Sequence, residues 1–205
     1  YDNLGDVRVR IVTFSSTALT QQTSWVTIAE AKTFIAGLTP NGGTNYNAAI
    51  TTAATAFDSP GKITGAQNVA YFLSDGAPNA GTDINAAREA VWTNFVNAND
   101  ITSFAFGIGV NAPPSALNPI AYNGTGTGAG TNTDAVIVSD INQLPPILRD
   151  SVVAPTVGNI VTGGLGGSVG FGADGGFLTT FTIDGSTYAY DPVALGGTGN
   201  VTRTV

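Results

Sequence analysis

Two short segments combine oxygen-bearing side chains with glycines, and they are the strongest candidates for chemistry in this chain. Residues 42–45 read GGTN and residues 73–78 read LSDGAP. Glycine lets a loop turn tightly, while a carboxylate at the rim of a sheet needs a cation or hydrogen-bond donors. Asp75 supplies a carboxylate and Thr44 a neutral hydroxyl. Such a pair suits a small, hard cation that keeps some of its water, such as Mg²⁺.

The elements around these segments alternate between strands and helices up to about Val153. Apolar and β-branched runs predict strands over 7–14, 68–73, 101–108 and 135–138. Apolar residues at helical spacing predict helices over 26–38, 46–57, 84–97 and 141–152, with N-caps at Asp83 and Asp140. This order predicts an α/β fold with a doubly wound, mostly parallel sheet flanked by helices. Ligands of such sheets bind at the carboxyl ends of the strands, where Thr44 and Asp75 are expected.

In the helix predicted over 84–97, the spacing of the apolar residues predicts which of them face the core. The inward set is Ala87, Val91, Phe95 and Val96. Four aromatic residues at apolar periodic positions are predicted to lie in the core, namely Trp25, Trp92, Tyr71 and Phe104.

Beyond Val153 the composition changes, and we predict two domains, 1–153 and 154–205. The second is rich in glycine and strand-like, with a hairpin whose turn is Asp184-Gly185. Because a lone hairpin is only marginally stable, this segment is expected to be part of a larger β-rich domain. Within the first domain, the Thr/Gly-rich stretch 123–132 is predicted to be a mobile surface loop.

Composition excludes several classes of function. With no Cys and no His, the chain has no disulfide, no zinc site of the usual ligands and no histidine base. No alternative base stands at suitable spacing from Asp75, so we expect no enzyme. The formal net charge of −7 argues against nucleic acid, and no apolar run is long enough for membrane insertion. Low charge without cysteine favours an extracellular protein stabilised without disulfides.

The order of strand, GGTN loop, Ala-rich helix and apolar strand ending in SDG resembles the von Willebrand factor A (VWA) domain, a Rossmann-like fold. The resemblance extends from about residue 4 to residue 151. It implies a metal-ion-dependent adhesion site in which Thr44 and Asp75 match the family's threonine and aspartate ligands for Mg²⁺, Ca²⁺ or Mn²⁺. The family's Asp-x-Ser-x-Ser motif does not occur in these 205 residues. We therefore expect the first strand and helix of the domain to be missing here.

The C-terminal segment resembles the repeats of giant bacterial RTX adhesins, which are exported by type I secretion and stiffened by Ca²⁺. Candidate Ca²⁺ ligands by this resemblance are Asp174, Asp184 and Asp191. Asp174 and Asp184 are each followed by glycine, and an Asp-Gly pair is first of all a turn signal, so ordinary turns are the alternative there.

The candidate site also has a plainer interpretation. Thr44 and Asp75 are common as a loop threonine and a capping aspartate in any α/β protein. Gly43, Asn45 and Ser74 would form the rim that meets the ligand, or they are turn residues that bond to local backbone.

Two classes of function follow from the resemblance. The preferred one is an adhesion and biofilm module on a bacterial cell surface, part of a larger adhesin, whose metal binds a carboxylate of an extracellular protein or surface ligand. The alternative is an intracellular VWA module that couples a metal site to an ATPase or chelatase assembly.

Overall fold

The computed structural model describes residues 5–126, 128–152, 180–183 and 186–189. The chain divides into two units, Tyr1–Val153 and Ala154–Val205, and each is described by itself. The strands of the first unit are β1 (Val12–Phe14), β2 (Ala18–Thr20), β3 (Asn68–Ser74), β4 (Ile101–Ile108), β5 (Tyr122–Asn123), β6 (Thr131–Asn132) and β7 (Val136–Val138). Its helices are α1 (Ile28–Ile35), α2 (Tyr46–Ala56), α3 (Ala86–Ala98), α4 (Pro114–Leu117) and α5 (Leu144–Asp150).

A mixed five-stranded sheet forms the centre of the first unit. β3 runs parallel to β4 along its whole length, from Asn68 opposite Ile101 to Ser74 opposite Gly107. β7 is parallel to the end of β4, and β5 and β6 add antiparallel strands beside the start of β4. The prediction of an α/β fold with a central sheet and flanking helices is confirmed.

The stretch 123–132 differs from the predicted mobile loop, because its two ends pair as the hairpin β5–β6. Asparagine side chains supply much of the anchoring. Asn97 Oδ1 accepts a hydrogen bond from the Gly130 N–H at 3.1 Å, and Asn132 Nδ2 donates to the Asn118 carbonyl. A pattern based on hydropathy cannot register such bonds, since Asn counts as a loop former.

A second, two-stranded sheet precedes the helices. β1 pairs antiparallel with β2, with Phe14 opposite Ala18. Of the strand predicted over 7–14, the first half contributes only an isolated bridge between Val9 and Val26. β2 was not predicted, because three residues are too few to show a period of two.

Helix α3 corrects two sequence predictions. Its N-cap is Asn85, whose Oδ1 accepts from the Arg88 N–H at 3.1 Å, rather than Asp83. The helix turns Trp92 and Val96 into the core, whereas Val91 is 73% exposed and Ala87 is also exposed. The predicted inward set was therefore partly wrong. Asp140 is a cap as predicted, since its Oδ1 accepts from the Asn142 N–H at 3.0 Å, but it caps the 3-10 turn Ile141–Gln143 that precedes α5.

The core lies between α2, α3 and the faces of β3 and β4. Trp92 is buried as predicted, whereas Trp25, Tyr71 and Phe104 are only partly buried. Ala49 and Ala56 on α2 let this helix pack closely, and Leu117 of α4 is fully buried in the same core cluster.

In the second unit, β8 (Thr180–Ile183) pairs antiparallel with β9 (Ser186–Ala189). These strands flank positions 184–185, where the sequence places a turn. Across the described residues of both units, no helix has the length and apolar character needed to cross a bilayer.

The Ile120 carbonyl gives a direct test of this core, because it accepts from Ser103 Oγ at 2.7 Å and from Trp92 Nε1 at 3.0 Å. Ser103→Ala should lower the free energy of unfolding by about 1 kcal/mol, since Trp92 still satisfies the carbonyl. In a Trp92→Phe background the same change should cost more, because the buried carbonyl loses both donors. Urea unfolding measures both values.

The exposed Ser139 provides the control, and Ser139→Ala should leave stability unchanged. Equal costs of Ser103→Ala in the two backgrounds would contradict the shared role of the Ile120 carbonyl.

Candidate metal centre

Three loops meet at one edge of the first unit. One is the turn between β1 and β2, the second precedes α2, and the third follows β3. The predicted residues Gly43, Thr44 and Asn45 belong to the second loop, and Ser74 and Asp75 to the end of β3 and the third loop. Because β3 is parallel to β4, Asp75 lies at the carboxyl edge of the sheet, as expected for a ligand site.

Ser16 joins the first loop to the second. Its Oγ accepts a hydrogen bond from the Gly43 N–H at 2.9 Å, and its carbonyl accepts from Asn45 Nδ2 at 3.1 Å. Asn45 also caps α2, because its Oδ1 accepts from the Ala48 N–H at 2.9 Å. Both ends of the Asn45 carboxamide are therefore used to hold the loop.

Asn79 joins the second loop to the third through reciprocal bonds with Thr44. The Thr44 N–H donates to Asn79 Oδ1 at 2.8 Å, and the Thr44 carbonyl accepts from the N–H groups of Asn79 at 2.9 Å and Ala80 at 3.1 Å. A Cβ on residue 43 would lie 2.6 Å from Asn79 Oδ1, so this close approach requires glycine.

Two buried hydroxyl groups hold the turn that carries Asp75. The Gly76 carbonyl accepts from Tyr46 Oη at 2.6 Å and from Ser74 Oγ at 3.1 Å. Tyr46 and Ser74 are both buried. Burial raises the pKa of the Tyr46 hydroxyl, against the opposing effect of hydrogen bonding with Ser74, and the negative charge of Asp75 adds to the rise. Tyr46 therefore stays a protonated donor to this turn at neutral pH.

The Thr44 hydroxyl faces this turn. A Cβ on Gly76 would be 3.6 Å from Thr44 Oγ1, so the hydroxyl lies against the residue next to Asp75. Within residues 5–126 and 128–152, neither Thr44 Oγ1 nor the Asp75 carboxylate has a hydrogen-bond or ion-pair partner. Asp75 is exposed and Thr44 is partly exposed. Both oxygens are free to meet a ligand from solvent.

The donor set is consistent with a hard cation that keeps water. A hydroxyl and a carboxylate oxygen are ligands that Mg²⁺ accepts, and Mg²⁺ usually retains several waters. In the part of the chain that the structure describes, no three acidic, His or Cys side chains form a metal cluster. The site thus offers one charged ligand, one neutral ligand and open coordination positions.

Sequence reasoning missed Ser16 and Asn79, the two residues that join the loops. Ser16 lies just beyond the strand predicted over 7–14, and Asn79 follows Pro78 without a distinctive motif. Gly43, Asn45 and Ser74, predicted as the rim, shape the loops through the contacts above. The candidate Ca²⁺ residues Asp174, Asp184 and Asp191 lie outside the described residues.

Comparison with known proteins identifies the fold family. The model of the von Willebrand factor type A domain matches residues 3–150 of the chain. This chain belongs to the von Willebrand factor type A family. Among curated proteins, no sequence matches it.

Solved structures similar to this chain are distant in sequence, and those with a TM-score above 0.5 share its fold. Proximal thread matrix protein 1 of the mussel byssus is 20% identical over 73% of this chain, with a TM-score of 0.53. A second structure of that protein, described with a zinc-occupied MIDAS motif, is 20% identical over 70% of the chain, also with a TM-score of 0.53. BatB from Bacteroides thetaiotaomicron is 19% identical over 73% of this chain and 79% of its own, with a TM-score of 0.47. The chain spans about a third of the length of the mussel protein, 36% and 33% in the two structures.

The Asn79 side chain should control the order of the Thr44 loop. Asn79→Ala removes the acceptor of the Thr44 N–H, and a hydrogen bond of about 1 kcal/mol predicts roughly fivefold faster amide exchange at Thr44. Asn79→Asp keeps an acceptor oxygen and should preserve protection. Hydrogen exchange followed by NMR measures each amide.

The Ala48 N–H is the internal reference, because it donates to Asn45 and not to Asn79. An unchanged Thr44 exchange rate in Asn79→Ala would show that the Asn79 side chain does not hold this loop.

Proposed function

We propose that this VWA domain is an adhesion module whose divalent cation binds at Thr44 and Asp75 and completes its coordination with a carboxylate of the partner. The observation that carries the proposal is the position of two unpartnered oxygens at the carboxyl edge of the sheet. Thr44 Oγ1 faces the turn of Asp75 while hydrogen bonds of other groups hold both loops. The mussel protein described with zinc in its MIDAS motif supports a metal in this family.

The number of protein ligands indicates how tightly the site would hold a cation and how many coordination positions would stay open to a partner. Two protein side chains leave most of an octahedral shell to water or to further groups. A cation held in this way binds weakly by itself, and an incoming carboxylate replaces a water without displacing a protein ligand. Mg²⁺ is the cation we propose, with Ca²⁺ or Mn²⁺ as substitutes of the same oxygen preference.

We propose further that the module acts outside a bacterial cell as part of a larger RTX-type adhesin in a biofilm. The support is composition: a 10% share of charged residues, no cysteine, and a glycine-rich segment after residue 153 in which Ca²⁺ would bind. The intracellular assembly proposed as the alternative would use the same metal site, so a test of partner binding is needed beside a test of metal binding.

Mg²⁺ binding should depend on both side chains. Replacing Thr44 and Asp75 together by Ala should abolish the heat of Mg²⁺ binding in isothermal titration calorimetry, because both protein ligands are lost. The matched control replaces Asp6 and Thr64, an exposed pair of the same residue types, and should bind as the native chain does. Native protein that takes up no Mg²⁺, or a double variant with native affinity, would overturn the site.

Adhesion should require both the cation and a carboxylate. The native chain should bind a polyglutamate-coated surface in Mg²⁺, release it in chelator, and ignore a polyglutamine surface. Because the protein carries a formal charge of −7, unassisted attraction to a polyanion is not expected. Surface plasmon resonance measures retention, and binding that survives chelation or the loss of Thr44 and Asp75 would contradict the mechanism.

A further inference from the structure

The chain contains two Asn-Gly dipeptides, at 41–42 and 123–124, and the structure treats them in opposite ways. Asparagine is a thermally labile residue. In its deamidation the backbone nitrogen of the next residue bonds to the side-chain carbonyl carbon, and the amide nitrogen leaves as ammonia with the proton of the attacking N–H. Water then opens the cyclic imide to aspartate or isoaspartate. Glycine favours the attack because it has no side chain to obstruct it.

Asn41 and Gly42 meet the requirements of this reaction. Both residues are exposed, in a loop outside any helix or strand. Neither the Asn41 carboxamide nor the Gly42 N–H has a hydrogen-bond partner in the described part of the chain. Gly42 has a φ of +82°, a conformation that suits glycine. The attacking nitrogen and the carboxamide are both unrestrained.

Hydrogen bonds restrain both the Asn123 side-chain carbonyl and the Gly124 N–H. Asn123 Oδ1 accepts from the Thr125 N–H at 3.1 Å and from Thr125 Oγ1 at 2.7 Å. The Gly124 N–H, the would-be nucleophile, donates to the Ile101 carbonyl at 2.9 Å. Gly124 is buried, and a Cβ there would lie 2.7 Å from Val96 backbone atoms. Reaction at this pair requires local opening of the β4–β5 edge.

We propose that Asn41 is a site of spontaneous deamidation in the folded protein, and that Asn123 is protected. The product places a carboxylate, or a main chain lengthened by one carbon atom, directly before residues 42–45. The Gly43 N–H bonds to Ser16 Oγ, so an isoaspartyl linkage pulls on the loop that positions Thr44. This consequence for metal binding rests on the proposed function, whereas the modification itself does not.

Peptide mapping of the aged 205-residue chain by mass spectrometry tests the modification. In mildly alkaline buffer, the folded protein should convert Asn41 at least about tenfold faster than Asn123, because conversion of Asn123 must wait for opening of its hydrogen bonds. In denaturant the two sites should convert at similar rates. Equal rates in the folded protein, or an Asn41 rate that is about tenfold slower folded than denatured, would overturn the proposal.

Asn41→Gln is the matched variant, since its longer side chain forms a cyclic imide far less readily and the aged variant should stay unmodified at residue 41. Calorimetry with Mg²⁺ then compares the aged native chain with the aged variant, and the native chain should bind more weakly. Equal affinities would refute the effect on the metal site. Absence of Mg²⁺ binding in fresh protein would refute the proposed function instead, and the peptide map would still decide the modification.

Discussion

Reciprocal hydrogen bonds between Thr44 and Asn79 are the constraint on which the candidate metal centre depends. They join loops that are 35 residues apart in the chain. The N–H and carbonyl of Thr44 thereby both find partners in the third loop. The Thr44 hydroxyl takes no part in these bonds, because the Thr44 N–H donates to Asn79 Oδ1 and the Thr44 carbonyl accepts from the backbone N–H groups of Asn79 and Ala80. Gly43 completes the arrangement, since any larger residue would occupy the space of that carboxamide.

Three aromatic rings pack together and join the elements that carry the three loops. Phe14 of β1 stacks on Phe72 of β3 with ring centres 5.0 Å apart, and Tyr46 of α2 meets Phe72 edge-on at 4.9 Å. Edge-on and stacked pairs of this kind add to the apolar burial that they already contribute. Tyr46 also extends from this cluster to the Gly76 carbonyl. This aromatic cluster therefore holds the residues next to all three loops, and through Tyr46 it positions the turn that carries Asp75.

The long elements could be predicted from the sequence, and the short strand pairings could not. β4 spans Ile101–Ile108 as predicted, because eight mostly apolar residues leave a clear pattern. β2, β5 and β6 have two or three residues each, too few for any hydrophobic period to show. The roles of Ser16 and Asn79 in joining the loops could not be predicted either, because a hydrogen bond between two loops has no local signature in the sequence. Residue type and glycine context single out Thr44 and Asp75, and their role as metal ligands stays a prediction.

Charge explains why an adhesion module of this composition would depend on a cation. The chain has a formal charge of −7, and one of its carboxylates, that of the exposed Asp75, lies at the edge of the candidate site. A carboxylate partner approaching this edge is repelled by this negative charge. A bound divalent ion carries the opposite sign and is the largest local charge, so it reverses the field where the partner must land. Under the proposed function, adhesion would then require a bound cation. Any negative charge introduced beside residues 42–45 would also change the electrostatic potential that the partner carboxylate meets.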